Sequence, residues 1–346
     1  MIQDIPQIAL DLDGWYRNMR REGMTNRVFY FEHGVDETIQ NQLDERFLIS
    51  GGLNKSCPHY PDLRRALIHR FLGQEFFRVF PEGAEIKVPT KGGNWAEESV
   101  GMIADWEDLE RFKWPHSTHM DTSMLEYYEK NLPEDMRVFV VMKPWEITRD
   151  LIGFENLCYK LFEDRNFIRQ VLKTVSEFYL AIVNRLCDFD CFGAVYVADD
   201  LGFKTSTMIS VDDIRDLILP WHKQIAAFAH QKNKLFLFHS CGQIYDVLDA
   251  YIDEVKIDAK HSFEDVIKPV TDAKREYGDR LTLLGGMDVD FLARSDEHAI
   301  RRKTRQLLDI CLPGGGYFLG TGNWVTSYIP LDNYLVMLDE ARRCTT

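Results

Sequence analysis

Residues 235–242 read Leu235-Phe236-Leu237-Phe238-His239-Ser240-Cys241-Gly242 and run straight into QIYDVLDAYID at 243–253. The change of period inside this stretch decides the fold. The first part is an unbroken apolar run with a polar exit, the pattern of a strand buried on both faces. The second places Ile244, Val247, Leu248, Tyr251 and Ile252 on one side of a helix. A buried strand feeding an amphipathic helix is the repeating unit of a parallel α/β protein.

Working outward, the same alternation recurs. Strands are expected at 27–32, 76–80, 138–143, 194–199, 255–259, 281–287 and 317–322, which with 235–240 makes eight. Between them, Ser210 opens an S-V-D-D capping box ahead of a long helix that Pro220 kinks or divides, and Pro330 suits the first turn of a closing helix. The expected fold is therefore an α/β protein, a (β/α)8 TIM-type barrel forming one domain over 1–346. It has an N-terminal helical extension over 1–25 and an inserted β-hairpin at 85–99. No Pro/Gly-rich linker or fixed-period repeat divides the chain.

Composition narrows the function. Among 346 residues, 41 Lys+Arg stand against 55 Asp+Glu, a net charge of −14. That balance argues against nucleic acid or an anionic membrane as partner, since both want a basic face. No apolar run is long enough for a transmembrane span. The opening MIQDIP has neither basic nor apolar leader character, and seven scattered cysteines do not pair by number, so a reducing, cytoplasmic setting is expected.

In a parallel barrel, chemistry sits at the C-terminal strand ends. Reading each strand to its exit collects Glu32, Lys143 with Trp145 and Glu146, Asp199 with Asp200, His239 with Cys241, Lys260 with His261, Asp288, and Asn323 with Trp324. His239 and Cys241, two apart on one strand, address one point above the barrel, and imidazole plus thiolate suits zinc. The bland alternative is a hydrogen-bonded histidine beside a packed cysteine. Asp199 and Asp200 are adjacent carboxylates, one of them a candidate acid or base, with Asp200 pointing to solvent as the alternative. Asp288 follows Gly285-Gly286, glycines that suit close approach of ligand or backbone. Gly314-Gly315-Gly316 reads as a turn rather than a phosphate cradle, and Cys187 and Cys191 as structural thiols.

Several stretches together resemble the uroporphyrinogen decarboxylase superfamily: Arg27 to Glu32, Ala198-Asp199-Asp200-Leu201-Gly202, Pro220 to Gly242, Gly285-Gly286-Met287-Asp288, and Gly314 through Pro330. The resemblance covers most of 25–343 in unbroken order and implies a TIM-type barrel. It also implies one of two activities, decarboxylation in heme synthesis or zinc-assisted methyl transfer with a corrinoid protein. The decarboxylases carry arginines after the first strand to hold substrate carboxylates. Here the matching stretch is Glu32-His33-Gly34-Val35-Asp36-Glu37, with none, which disfavours an octa-acid substrate.

The methyltransferase branch is the nearer one. It implies zinc on His239 and Cys241, plus a further cysteine after the last strand. Asn323 stands at that place, and a neutral amide is a poor replacement for a thiolate. Glu32, Asp199 or Asp288 could complete a His/Cys/carboxylate site, or the protein binds no metal. The expectation is a methyltransferase acting between a small methylated substrate or thiol and a corrinoid protein. Asp199, Asp288, Glu32 and His261 would be its proton-handling groups. Trp145, Trp324, Tyr317, Asp200 and Asn323 would line a pocket for an aromatic or quaternary ammonium substrate. The alternative is a metal-free decarboxylase for an acidic substrate, using Asp199 or Asp288; a third reading is a non-catalytic barrel that binds a corrinoid protein or a small ligand. The sequence leaves the oligomeric state open; the resemblance allows a homodimer, whose interface an exposed Trp15-Tyr16 could join.

Overall fold

The computed structural model describes residues 4–23, 27–88 and 101–344. Seven parallel strands follow one another in chain order around one curled sheet. They are β1 (Phe76–Arg78), β2 (Arg137–Met142), β3 (Phe192–Ala198), β4 (Leu235–His239), β5 (Ala259–His261), β6 (Thr282–Leu284) and β7 (Tyr317–Phe318). Parallel neighbours need a crossover at each step. Helices such as Arg165–Leu186, Leu219–Gln231, Val270–Tyr277 and Glu297–Cys311 supply them and cover the outside of the sheet.

The expected first strand takes the eighth place as an extended segment beside β7. Tyr30 bridges Leu319 and Val35 bridges Val325, both in parallel sense. The Phe31 N–H donates to Leu319 O at 3.0 Å, and the Leu319 N–H donates to Phe29 O at 2.8 Å. Gly320 makes this seam close: a Cβ there would lie 1.9 Å from Phe31 O. The architecture is a TIM-type barrel.

Alternation along the strands separates two apolar layers. Phe29, Phe31, Phe76, Phe139, Val141, Tyr196, Leu237, Leu284 and Phe318 fill the interior. Their neighbours Phe77, Val138, Val140, Phe236 and Phe238 pack outward in the larger cluster shared with the helices. Both faces being dry explains why the strands read as continuous apolar runs.

The N-terminal extension forms the helix Leu12–Met19 across the bottom of the barrel. Trp15 is fully buried there, stacked on Phe76 at 4.0 Å and 4.9 Å from Phe318. It therefore belongs to the barrel core, and the expectation that Trp15 is exposed for dimerisation is corrected. Asn18 Nδ2 donates to Tyr317 O and Thr282 Oγ1 to Met19 O, tying the plug to β7 and β6.

Three other expectations need adjustment. The strand expected at 255–259 lies at Ala259–His261, because Tyr251–Val255 forms a π-helical turn that ends on left-handed Lys256. Pro220 does sit at a division: the π-helical turn Ile214–Ile218 gives way to an α-helix over Leu219–Gln231. Of the hairpin expected at 85–99, residues 85–88 form no strand and 89–99 lie outside the described residues. No helix among the described residues is long and apolar enough to cross a membrane.

Candidate metal centre and active site

The inward parity of each strand continues past its C-terminal end. Phe29 and Phe31 lead to His33, Phe76 to Arg78, Phe139 and Val141 to Lys143, Tyr196 and Ala198 to Asp200, Leu237 to His239 and Cys241, and Ala259 to His261. These polar residues form the upper layer of the barrel, at the end where such folds do chemistry.

The centre of this layer is a chain of histidines with a fixed direction. Thr321 O can only accept, so the contact at 3.1 Å requires a proton on His261 Nε2. In neutral His261, Nδ1 then carries a lone pair, and its 2.8 Å partner His239 Nδ1 must donate to it. His239 is left with Nε2 facing outward, 3.4 Å from Cys241 Sγ and 3.6 Å from Asp200 Oδ1. The assignment follows from donors and acceptors rather than from hydrogen positions. Burial keeps His261 well below the ordinary imidazole range, consistent with its neutral form.

Asp200 is aimed by the Cys241 N–H, which donates to its Oδ1 at 2.8 Å. Burial works against its charge, but the contact with His239 and the Cys241 N–H hold the carboxyl below its usual range. Cys241 Sγ accepts from Asn323 Nδ2 at 3.3 Å, with Ser262 Oγ 3.7 Å away. Burial, followed by the charge of Asp200, pushes the Cys241 thiol upward. A thiol placed this way keeps its proton until a metal cation takes the sulfur and displaces that proton. Gly242, at φ +80°, turns the chain immediately after it.

Asp200, His239 and Cys241 each bring one ligand atom within 4.8 Å of the others, and so do His33, His239 and His261. The second group would have to give up one of the two His261 hydrogen bonds, whereas the first leaves both in place and replaces only the contact between His239 Nε2 and Cys241 Sγ. Nitrogen, sulfur and oxygen donors around tetrahedral zinc lie about 3.4–3.6 Å apart. The two separations at His239 Nε2 match. The donor set fits zinc, and His261 supplies the outer hydrogen bond that a metal-binding histidine normally has.

Around this centre stand His33, Trp324, Arg78 and Lys143. His33 stacks on His239 at 4.5 Å, and Trp324 meets His33 edge-on at 5.2 Å. Trp324 Nε1 is anchored on Asp36 Oδ1 at 2.6 Å. Lys143 Nζ pairs with Glu146 Oε2 at 2.8 Å.

Other expected site residues lie elsewhere. Glu32 points out of the barrel and is locked by the backbone and hydroxyl of Thr321, at 3.1 and 2.5 Å. Burial raises its carboxyl to about 8. Asp199 is fully buried. It accepts from the N–H groups of Trp145 and Glu146 at the start of the Pro144–Ile152 helix and contacts His222 Nε2 at 2.8 Å. Asp288 caps the Val289–Arg294 helix through the Phe291 N–H and also accepts from the Asp265 N–H. Trp145 and Tyr317 pack in the outer layer with the helices rather than in the mouth.

Thus Asp200, His239, Cys241, His261, Asn323 and Trp324 come together, while Glu32, Asp199, Asp288, Trp145 and Tyr317 do not join them. His33 and Arg78 are the additions. Strand parity carried beyond Phe31 and Phe76 is the signal that points to both.

The comparisons with known proteins agree with this architecture. The family described as Uroporphyrinogen decarboxylase (URO-D) matches residues 81–344. Among solved structures, a methyltransferase from Methanosarcina mazei superposes with a TM-score of 0.67 at 14% identity, covering 97% of this chain and 99% of that one. A protein described as a vitamin-B12-independent methionine synthase from Listeria monocytogenes gives 0.46 at 12% identity, over 92% and 98% of the two chains. A sugar phosphate isomerase/epimerase from Parabacteroides distasonis gives 0.40 at 9%, over 92% and 96%. At 14% identity the likeness to the Methanosarcina mazei protein is one of fold. No curated protein matches the sequence significantly.

Proposed function

The chain belongs to the uroporphyrinogen decarboxylase (URO-D) family, and on that footing we propose that it is a zinc-dependent methyltransferase. It would move a methyl group between a small methylated compound or thiol and a corrinoid protein. One observation carries this reading: His239 Nε2 faces Cys241 Sγ at 3.4 Å and Asp200 Oδ1 at 3.6 Å, in the open end of the barrel. The Methanosarcina mazei neighbour, described as a methyltransferase, points the same way.

His239, Cys241 and Asp200 would hold the metal, leaving one position for substrate. When bound, zinc supplies Lewis acidity, lowering the pKa of a coordinated thiol or polarising the heteroatom that carries the methyl group. The protein's own groups do the rest. His261 fixes the ring of His239, Asn323 donates to the sulfur of Cys241, and His33 and Trp324 wall one side. The ammonium of Lys143, half-buried and paired with Glu146, would be a group able to pass a proton to or from the substrate.

Metal analysis of protein purified without chelator tests the proposal. Zinc is expected near one equivalent, and His239→Ala or Cys241→Ala should lose it. Full turnover by a metal-free preparation would overturn it. Arg78 and Lys143 in the mouth would also suit an acidic substrate undergoing metal-free decarboxylation. The same analysis separates that second reading from the first.

A further inference from the structure

Arg78 is the inward residue at the C-terminal end of β1, two positions after the interior Phe76. Its side chain is 10% exposed. Among the described residues, Nε has no hydrogen-bond partner, and the recorded carboxylate contact is Glu85 Oε1, 4.0 Å from Nη2 on a side chain that is half exposed. The guanidinium lies 4.5 Å from the ring of Phe80 and 5.2 Å from that of Trp324. Trp324 in turn touches His33, which stacks on His239. A buried guanidinium whose Nε–H lacks a partner is an unfavourable state unless something anionic meets it. Burial has pushed its pKa down to about 10. The other cation of the mouth, Lys143, is already matched by Glu146.

A planar guanidinium fork binds a carboxylate through two parallel hydrogen bonds, and flanking rings favour a flat partner. We propose that Arg78, between Phe80 and Trp324, is the docking point for a carboxylate on an aromatic small-molecule substrate. The site then selects an anionic compound over the quaternary ammonium that the aromatic residues alone would suggest. This rests on the mouth being the substrate site, as the proposed function requires, and names the substrate class for it.

The test is binding, independent of turnover. The purified protein is titrated with benzoate, with neutral benzamide and with benzyltrimethylammonium, followed by calorimetry. Benzoate is expected to bind about ten- to a hundredfold more tightly than benzamide, the value of a charge-assisted contact. The ammonium compound should not displace it. Arg78→Gln should erase the preference and leave zinc content unchanged, while Arg78→Lys, which keeps the charge without the fork, should retain part of it. If Arg78→Gln does not fold, Arg78→Lys alone decides, through a reduced benzoate-to-benzamide ratio. Equal binding of acid and amide, no benzoate binding at millimolar concentration, or an undiminished preference in the variants overturns the proposal. Protein that holds zinc yet shows no anion preference removes only the subsite. Protein without zinc that still prefers benzoate through Arg78 removes only the metal chemistry.

Discussion

His239 and His261 meet Nδ1 to Nδ1 at 2.8 Å, and Thr321 O fixes which ring donates. The consequence is that His239 presents Nε2, free to take a metal, toward Cys241 and Asp200. Removing His261 should therefore loosen a metal it never touches.

In His261→Ala, zinc affinity is expected to fall about ten- to a hundredfold, the usual effect of losing such an outer hydrogen bond. Competition with a chromophoric chelator reads this directly. Unchanged affinity would mean that His239 needs no partner to hold its orientation.

Asn323 already touches Cys241 Sγ at 3.3 Å, so Asn323→Cys should place a second sulfur within reach of the same point. Cobalt(II) substituted for zinc should then show a stronger thiolate-to-metal charge-transfer band than in the native protein, and tighter binding. In the proposed site the carboxylate of Asp200 would complete the donor set, so Asp200→Ala should weaken cobalt binding while sparing that band.

Glu32 gives a pH dependence of stability. Its pKa rises from 4.5 to about 8 on folding, mainly by desolvation. Between those values the unfolded chain has lost the proton and the folded chain keeps it, so fewer protons are bound in the unfolded state and stability falls as pH rises. The stabilisation is complete below pH 4.5 and is lost as pH climbs through about 8. Melting temperatures of the wild type should decline across this window relative to Glu32→Gln, with the two curves parallel above it.

Asp199→Asn should act on folding rather than on metal. Its carboxylate accepts from the Trp145 and Glu146 N–H groups and contacts His222, all buried. A loss of about 1–3 kcal/mol per poorly satisfied group is expected in denaturant titrations. Zinc content should stay at the wild-type level. A metal-free Asp199→Asn that melts normally would contradict this placement.

Trp15→Ala should be among the most damaging substitutions far from the site. A fully buried indole stacked on Phe76 is worth about 3–5 kcal/mol when truncated. Urea unfolding measures it.

The barrel was legible in the sequence because both faces of its strands are dry, and buried parallel strands announce themselves as apolar runs. The site was legible only in part, for one recurring reason. Successive side chains on a strand face opposite ways, so stopping one residue early selects the wrong face. Reading the first strand to Glu32 picked the outward carboxylate and missed inward His33. Offering Glu32, Asp199 or Asp288 as the metal carboxylate passes over Asp200, the residue that continues the inward parity of Tyr196 and Ala198. Strand β5 is expected too early, at 255–259 rather than Ala259–His261, because its inward residues Ala259 and His261 lack a strong apolar signature. Trp15 carried no local sign of the long-range contact that buries it.

That indole has a kinetic meaning as well. Among the described residues, the indole and the interior rings stopper the far end of the cylinder, so whatever enters arrives and departs through the mouth. For the two-reactant chemistry proposed here, a bulky protein partner seated over that doorway would shut the small reactant in or out. The order of events is then set by geometry: the small reactant enters first and leaves last.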